Sequence, residues 1–334
     1  MGRVITLPRP VAITAWSCTG GKKEKNGPLA SGFDILSSDD YFGQDTWEKA
    51  ETAMQKYNLR SLMDKRKIKP EDIDIAFGGD LCNQITSTGF AYRDFSISMA
   101  GMYGACSTMA LTMATGSCLV SGGIVNNALA GASSHFCTAE RQFRTPLDYG
   151  GKRTPTAQWT VTGAANVFLE REGKGPFITK VCFGKITDLG VKDANNMGAA
   201  MAPAAAATLV DFFRHSGHKP DEYDAIYTGD LGTVGSELLK QLMEKEGFVL
   251  NNHIDCGTII YDLKRQDVPA GASGCGCSGC VLSADILPKM ADKKIKKILF
   301  MATGALLSTT TTMQKESIPS VAHLVEIVSR KEDI

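Results

Sequence analysis

Two stretches of the chain carry no charge, and the elements predicted around them set the architecture. Residues 95–139 contain no Asp, Glu, Lys or Arg, and 268–284 are likewise uncharged. Ser, Thr, Asn and Gly interrupt both, so neither reads as a bilayer span. A helix that is apolar all round inside a large domain accounts for the pattern. Each stretch predicts a small-residue helix, over 107–121 and 277–290, followed by a short apolar strand, over 128–132 and 298–303. Ahead of each helix come a loop, a short buried strand (73–77 and 223–227) and a Gly-Asp turn, the pattern of a strand end in an α/β sheet. Mixed-charge segments at 45–57 and 235–246, and 204–215 closed by Gly217, predict helices on the outside. Residues 161–169 (VTGAANVFL) read as a strand closing the first series.

The two series are copies of one design. PEDIDIAFGGDL (70–81) and PDEYDAIYTGDL (220–231) match without a gap, with identity at Pro70/Pro220, Asp74/Asp224, Gly79/Gly229, Asp80/Asp230 and Leu81/Leu231. We therefore divide the chain into two halves, 1–172 and 173–334, joined at the Gly-rich segment 172–176, with a central helical layer between two sheets.

Composition narrows the function. At 334 residues and 43% hydrophobic, the chain has ample material for a core. Its 36 basic and 36 acidic residues cancel, which gives no global field for nucleic acid or an anionic surface. Pro8 and Pro10 break the N-terminal apolar stretch, and the apolar runs at 200–210 and 298–307 are about half the length that crosses a bilayer. A soluble cytoplasmic chain without a signal peptide is expected. Its ten cysteines then read as reduced, buried hydrophobes rather than a disulfide framework.

Cys106 is the first chemical candidate. In YGACSTMAL a glycine-containing turn leads into a small-residue helix, whose N-terminus would favour thiolate. The plain alternative is one more inert buried thiol. Cys275, Cys277 and Cys280, with Cys256, have the ligand types for zinc, but C-x-C-x-x-C in a glycine-rich stretch reads better as a tight helix entrance, and we expect no metal.

A cysteine opening a buried helix, a duplicated sheet-helix unit and VTGAANVFL together resemble the thiolase and ketoacyl synthase superfamily. That resemblance implies a thiolase-like α/β fold, a five-layer αβαβα arrangement of two duplicated halves with mixed sheets, and it places Cys106 at the nucleophile position. The superfamily's second-half histidine falls on Ser273 or Gly274 of GASGCGCSG (271–279), and the late turn ATGALLS (302–308) has no cysteine. Neither Ser nor Gly accepts a proton at neutral pH, and general acid–base help is typically worth ~10²–10⁴-fold. Cys106 is then a vestigial nucleophile, and a pseudoenzyme without a cofactor is expected.

More specifically, KEKNGPL (23–29), YGACST, SSHFCTAERQFRTPLDYGG (133–151), DLGVKDANNMGAAMAPAAA (188–206) and ATGALLS followed by QKESIP (314–319) resemble the stage V sporulation AD family across nearly the whole chain. The resemblance implies a cytoplasmic protein held peripherally at the forespore or spore inner membrane by the other stage V sporulation A membrane proteins. It also implies binding of dipicolinic acid (pyridine-2,6-dicarboxylate), with or without calcium, for uptake into the developing spore and release in germination, and a homodimer by analogy. For a planar dianion, guanidinium forks are fitting partners. Arg141 and Arg144, with Lys152 and Arg153 nearby, are candidates, against the alternative of a solvated loop pairing with Glu140 and Asp148. His135 is placed to donate to a carboxylate or the ring nitrogen, unless it is structural. Asn83, next to Asp80 at a strand end, and Ser273 complete the candidate ligand-binding set of Cys106, His135, Arg141, Arg144, Asn83 and Ser273. For Asp80 and Asp230 a turn-capping role is the competing reading. Two alternatives stay open: an active Cys-dependent acyltransferase with His135 as base, and a membrane-complex scaffold with a vestigial pocket.

Overall fold

The computed structural model describes residues 4–143 and 153–334. In chain order the first half runs β1 (Val4–Gly20), α1 (Lys22–Lys25), β2 (Ile35–Leu36), α2 (Trp47–Arg66), β3 (Ala76–Gly78), α3 (Thr86–Arg93), β4 (Met99–Gly101), α4 (Thr108–Ser121), β5 (Asn127–Ser134), α5 (Phe136–Phe143), β6 (Trp159–Thr160) and β7 (Gly163–Glu170). The second runs β8 (Phe177–Cys182), α6 (Met197–Ser216), β9 (Ala225–Thr228), α7 (Gly232–Lys245), β10 (His253–Asp255), α8 (Cys256–Ile259), β11 (Ala272–Ser273), α9 (Cys275–Val281), α10 (Leu287–Ala291), β12 (Lys297–Ala305), α11 (Thr309–Met313) and β13 (Ser320–Val328).

Among the described residues one mixed sheet runs β10, β9, β12, β13, β8, β1, β7, β5, β3, β4, with β2 beside β1. Outward from the β1/β8 junction the two sides repeat. β7 and β13 are antiparallel to both their neighbours; next come β5 and β12, then β3 and β9 parallel to these, then the parallel edge strands β4 and β10. The two sheets expected from the sequence are thus hydrogen-bonded edge to edge. The cause is the length of β1, whose first part pairs with β8 and whose second pairs with β7. Pro8 and Pro10 lack the N–H that a ladder needs, and the β1/β8 register shifts between Thr6 and Val11.

The uncharged stretches form the middle layer. α4 packs on β3 and β5 of the first half and on β12 and β13 of the second, while α9 packs on α4, β5 and β7. On α4, Met109, Ala110, Met113 and Ala114 are completely buried, and truncating either Met to Ala would cost about 2–5 kcal/mol. α2 covers β1 and β7, and α6, which packs on α7, covers β12 and β13, giving the layered αβαβα order.

The duplication has a physical explanation in the turns. Pro70 and Pro220 each open a short 3₁₀ turn, Pro70–Asp72 and Pro220–Glu222. Asp74 then accepts the N–H groups of Asn126 and Asn127, as Asp224 accepts those of Lys296 and Lys297. These bonds tie each strand's entrance to the loop before its neighbour, so β3 and β9 begin later than the apolar run suggests. The expected helix 277–290 starts at Cys275 and reaches α10 through a π turn, Leu282–Ile286, just before Pro288.

Candidate functional site

Cys106 sits two residues before α4, in a turn where Ala105 takes a left-handed φ of 49°, a conformation that costs a non-glycine residue about 1–3 kcal/mol. The late turn of the second half closes over it: a Cβ on Gly304 would lie 2.2 Å from the carbonyl oxygen of Gly104. Only glycine permits that approach.

Ser273 faces the thiol, with Oγ 3.9 Å from Cys106 Sγ. It is held in β11, which pairs with β6. Gly274 follows with φ 103°, and a Cβ there would also meet Ser134 Oγ at 2.6 Å. Its freedom aims its N–H at Asp230. The Asp230 carboxylate accepts from Gly274 N at 2.9 Å, Ser273 Oγ at 3.2 Å and Thr303 Oγ1 at 2.9 Å, and its charge acts on the nearby Cys106 thiol. Three donors of the second half meet on one buried carboxyl.

The electrostatics follow from that arrangement. Burial, and then the Asp230 charge, push the Cys106 thiol well above its ordinary value. The thiolate expected at a helix N-terminus is therefore not favoured: desolvation and an adjacent carboxylate outweigh the helix dipole. Burial pushes Asp230 up to about 6, against the lowering effect of the donors Gly274, Thr303 and Ser273 and of the nearby Cys106 thiol. Asp230 is a much weaker base than the Cys106 thiolate, so proton transfer from Cys106 to it runs uphill.

A cleft opens over this floor, lined by Leu81, Ala139, Phe143, Met197 and Ala305 with the polar groups of Glu140, Gln158, Thr160, Asn195 and Ser273. Its free volume is about 20 Å³, room for one water.

Of the candidate set, Cys106 and Ser273 are brought together. His135 is completely buried elsewhere: Nδ1 accepts from the N–H of Cys137 at 3.2 Å, which leaves Nε2–H to donate to the carbonyl of Asp40 at 2.8 Å. Burial lowers its pKa, and its ring lies 5.4 Å from that of Trp47. Both nitrogens are occupied, so the neutral ring is a structural pin for the Asp40 loop. Asn83 lines a neighbouring cleft with Gly101, Tyr103, Gln142 and Leu306. Arg141 lies largely in solvent and pairs with Glu48 of α2. Arg144 and Lys152 lie outside the described residues. Arg153 pairs with Glu140 at 3.2 Å, donates to the carbonyl of Gln158, and lies against the rings of Phe136 and Trp159. It is the one of the four basic candidates that the described residues place beside the cleft.

The Cys275, Cys277 and Cys280 thiols point at different carbonyls, those of Ser133, Gly229, and Thr19 with Ala164. Side chains that diverge in this way do not form a tetrahedral ligand set. Asp80 accepts from Cys82 N and from the N–H and hydroxyl of Thr88, so it caps its own loop. The buried carboxyl beside it, Glu51 of α2, takes the hydroxyls of Ser133 and Thr138, which fastens α5 to the core. Sequence reasoning missed Gln158, Asn195 and Glu51, none of which sits in a chemical motif. Asp230 was visible only as the repeat of Asp80, which favoured a capping role for both.

The whole chain has known relatives. The family model for stage V sporulation protein AD matches residues 2–328. Stage V sporulation protein AD of Bacillus subtilis (strain 168) is 41% identical over 315 residues, covering 94% of this chain and 93% of the relative. Solved structures with the same fold include an OleA variant from Xanthomonas campestris (TM-score 0.60, 12% identity, 97% of this chain and 99% of that one). Human mitochondrial 3-ketoacyl-CoA thiolase in complex with CoA gives 0.57, 10%, 97% and 99%, and 3-oxoacyl-[acyl-carrier-protein] synthase III from Aquifex aeolicus VF5 gives 0.57, 11%, 95% and 99%. Such low identities speak for the fold alone, whereas the full-length match to the sporulation proteins decides the family. This thiolase-fold chain belongs to the stage V sporulation protein AD family.

Proposed function

We propose that the chain is a non-catalytic binder of dipicolinic acid, which it holds in the Cys106 cleft and helps to pass into the developing spore. The observation that carries the reading is the pairing at the cleft floor. Where a condensing enzyme needs a base, Ser273 and a carboxyl face a thiol that burial keeps protonated. Phe143 and the apolar lining suit a flat ring, and Thr160, Asn195 and Ser273 offer hydrogen bonds to carboxylates. A ring with two carboxylates exceeds the present free volume, so binding moves the wall formed by Ala139, Glu140 and Phe143 of α5 outward. Arg144 remains the sequence's candidate for the second carboxylate.

No helix among the described residues is long and apolar enough to cross a membrane. Our reading therefore has the chain reach the forespore membrane through stage V sporulation A membrane proteins, as a homodimer, with or without calcium on the ligand. Calorimetric titration tests the core of it. Saturable binding of pyridine-2,6-dicarboxylate, weakened at least ~10-fold by Ser273→Leu and much weaker for pyridine-2-carboxylate, is the expected result. Equal heats for both acids, or indifference to Ser273→Leu, contradict it. The enzymatic alternative returns if an acyl thioester labels Cys106.

A further inference from the structure

A hydroxyl has one hydrogen to give, and so has a thiol. In the Cys106 cleft the hydroxyl's is already committed: Ser273 Oγ–H donates to Asp230 Oδ2 at 3.2 Å, with Cys106 Sγ 3.9 Å from the same Oγ. An entering carboxylate accepts and cannot donate, so Ser273 cannot serve it while Asp230 is ionised. The carboxylate at the floor would also repel it.

The groups that face Asp230 do not relieve this. The titratable ones are Cys106 at the entrance to α4, Asp255 at the end of β10, Cys256 of α8, and Cys275 and Cys277 of α9. Among the described residues each is neutral or negative, never positive. Gly274 N–H and Thr303 Oγ1–H complete its hydrogen-bond shell from β11's turn and from β12.

We propose that the cleft takes up one proton onto Asp230 as it binds its dicarboxylate ligand, and that the new Asp230 O–H donates to Ser273 Oγ, releasing the Ser273 hydrogen to the ligand. The proton comes from solvent, one O–H bond forms on Asp230, and no other covalent bond changes. This rests on the reading of the cleft as a dicarboxylate site. Asp230 becomes both the sensor that couples occupancy to pH and a filter against ligands that lack a carboxylate.

Calorimetry on the whole protein with pyridine-2,6-dicarboxylate at pH 7.5, in two buffers of different ionisation enthalpy, counts the protons. With Asp230 held near 6, it is ionised at that pH and uptake is measurable. Expected are about one proton per ligand and an affinity that falls roughly tenfold per pH unit above pH 7. Asp230→Asn, whose amide cannot take up a proton, should bind without proton uptake and with a flat pH profile. Binding by the natural protein with no buffer dependence overturns the inference and leaves the binding reading intact. Uptake that persists in Asp230→Asn also overturns it, because the proton then sits elsewhere. Absence of binding in every buffer overturns the reading itself. If Asp230→Asn fails to fold, the two-buffer count on the natural protein still decides.

Discussion

Asp80 and Asp230 occupy the same place in the two halves, and both are completely buried, but their carboxylates hold different things. Asp80 gathers Cys82 N and Thr88 of its own loop. Asp230 reaches across to Ser273, Gly274 and Thr303, and Ser273 in turn faces Cys106 of the other half. One duplicated turn has thus yielded a structural cap and the floor of a cleft.

Asp80→Asn should destabilise the fold without touching the cleft. An amide cannot accept from both Cys82 N and Thr88 N as a carboxylate does, so a loss of about 1–3 kcal/mol is expected in denaturant unfolding. Ligand affinity should change by less than about threefold.

The Cys106 thiol should be unreactive at neutral pH. Alkylation by iodoacetamide, mapped to the Cys106 peptide by mass spectrometry, should run at least ~10-fold slower at pH 7.5 than for an exposed cysteine peptide. Asp230→Asn should speed it by removing the charge that raises the thiol. A rate matching the free peptide would restore the activated nucleophile.

Stability should fall as pH rises from about 6.5 to 8. Burial pushes Glu24 and Asp255 up to about 7, Glu51 to about 8 and Asp230 to about 6, all above the ordinary carboxyl range of an unfolded chain. The folded state then holds more protons, and its advantage is complete below the unfolded values and lost as pH passes the folded ones. Thermal melts should therefore show Tm falling from pH 6.5 to pH 8, above the range in which His135, His253 and His323, buried neutral, oppose the trend. Glu51→Gln, which cannot ionise, should flatten part of that slope, a difference on the order of a few kcal/mol.

His135→Ala should cost about 1–3 kcal/mol of stability, since it leaves the Asp40 carbonyl and the Cys137 N–H without partners. Dipicolinate affinity should stay within about threefold. A large loss of affinity in a protein of unchanged stability would return His135 to the ligand.

Much of the fold was legible because it rests on patterns that burial enforces. The charge-free stretches became α4 and α9, and the repeated Pro, Asp and Gly-Asp positions became paired turns. The joining of the two sheets was not legible, because it depends on which strand β1 meets at each end, and a hydrophobic pattern does not name a partner. In the site, Cys106 stood out by its place at a helix entrance, and Ser273 came from a superfamily resemblance. The directions of His135 and Arg141 were not legible, because proximity in sequence to a strand end says nothing about direction: one side chain turns to Asp40 and the other to Glu48. Asn195 is more than fifty residues from any other lining residue except Ala194, Met197 and Gln158's neighbourhood, and only the fold brings it to Cys106.

A crystal structure of the protein with dipicolinic acid tests the central claim most directly. The expected density is one ring in the Cys106 cleft, with one carboxylate on Ser273 and the Phe143 wall of α5 displaced outward. A ligand seated elsewhere, for instance against Arg153 and Trp159 with the Cys106 cleft still closed, would contradict it.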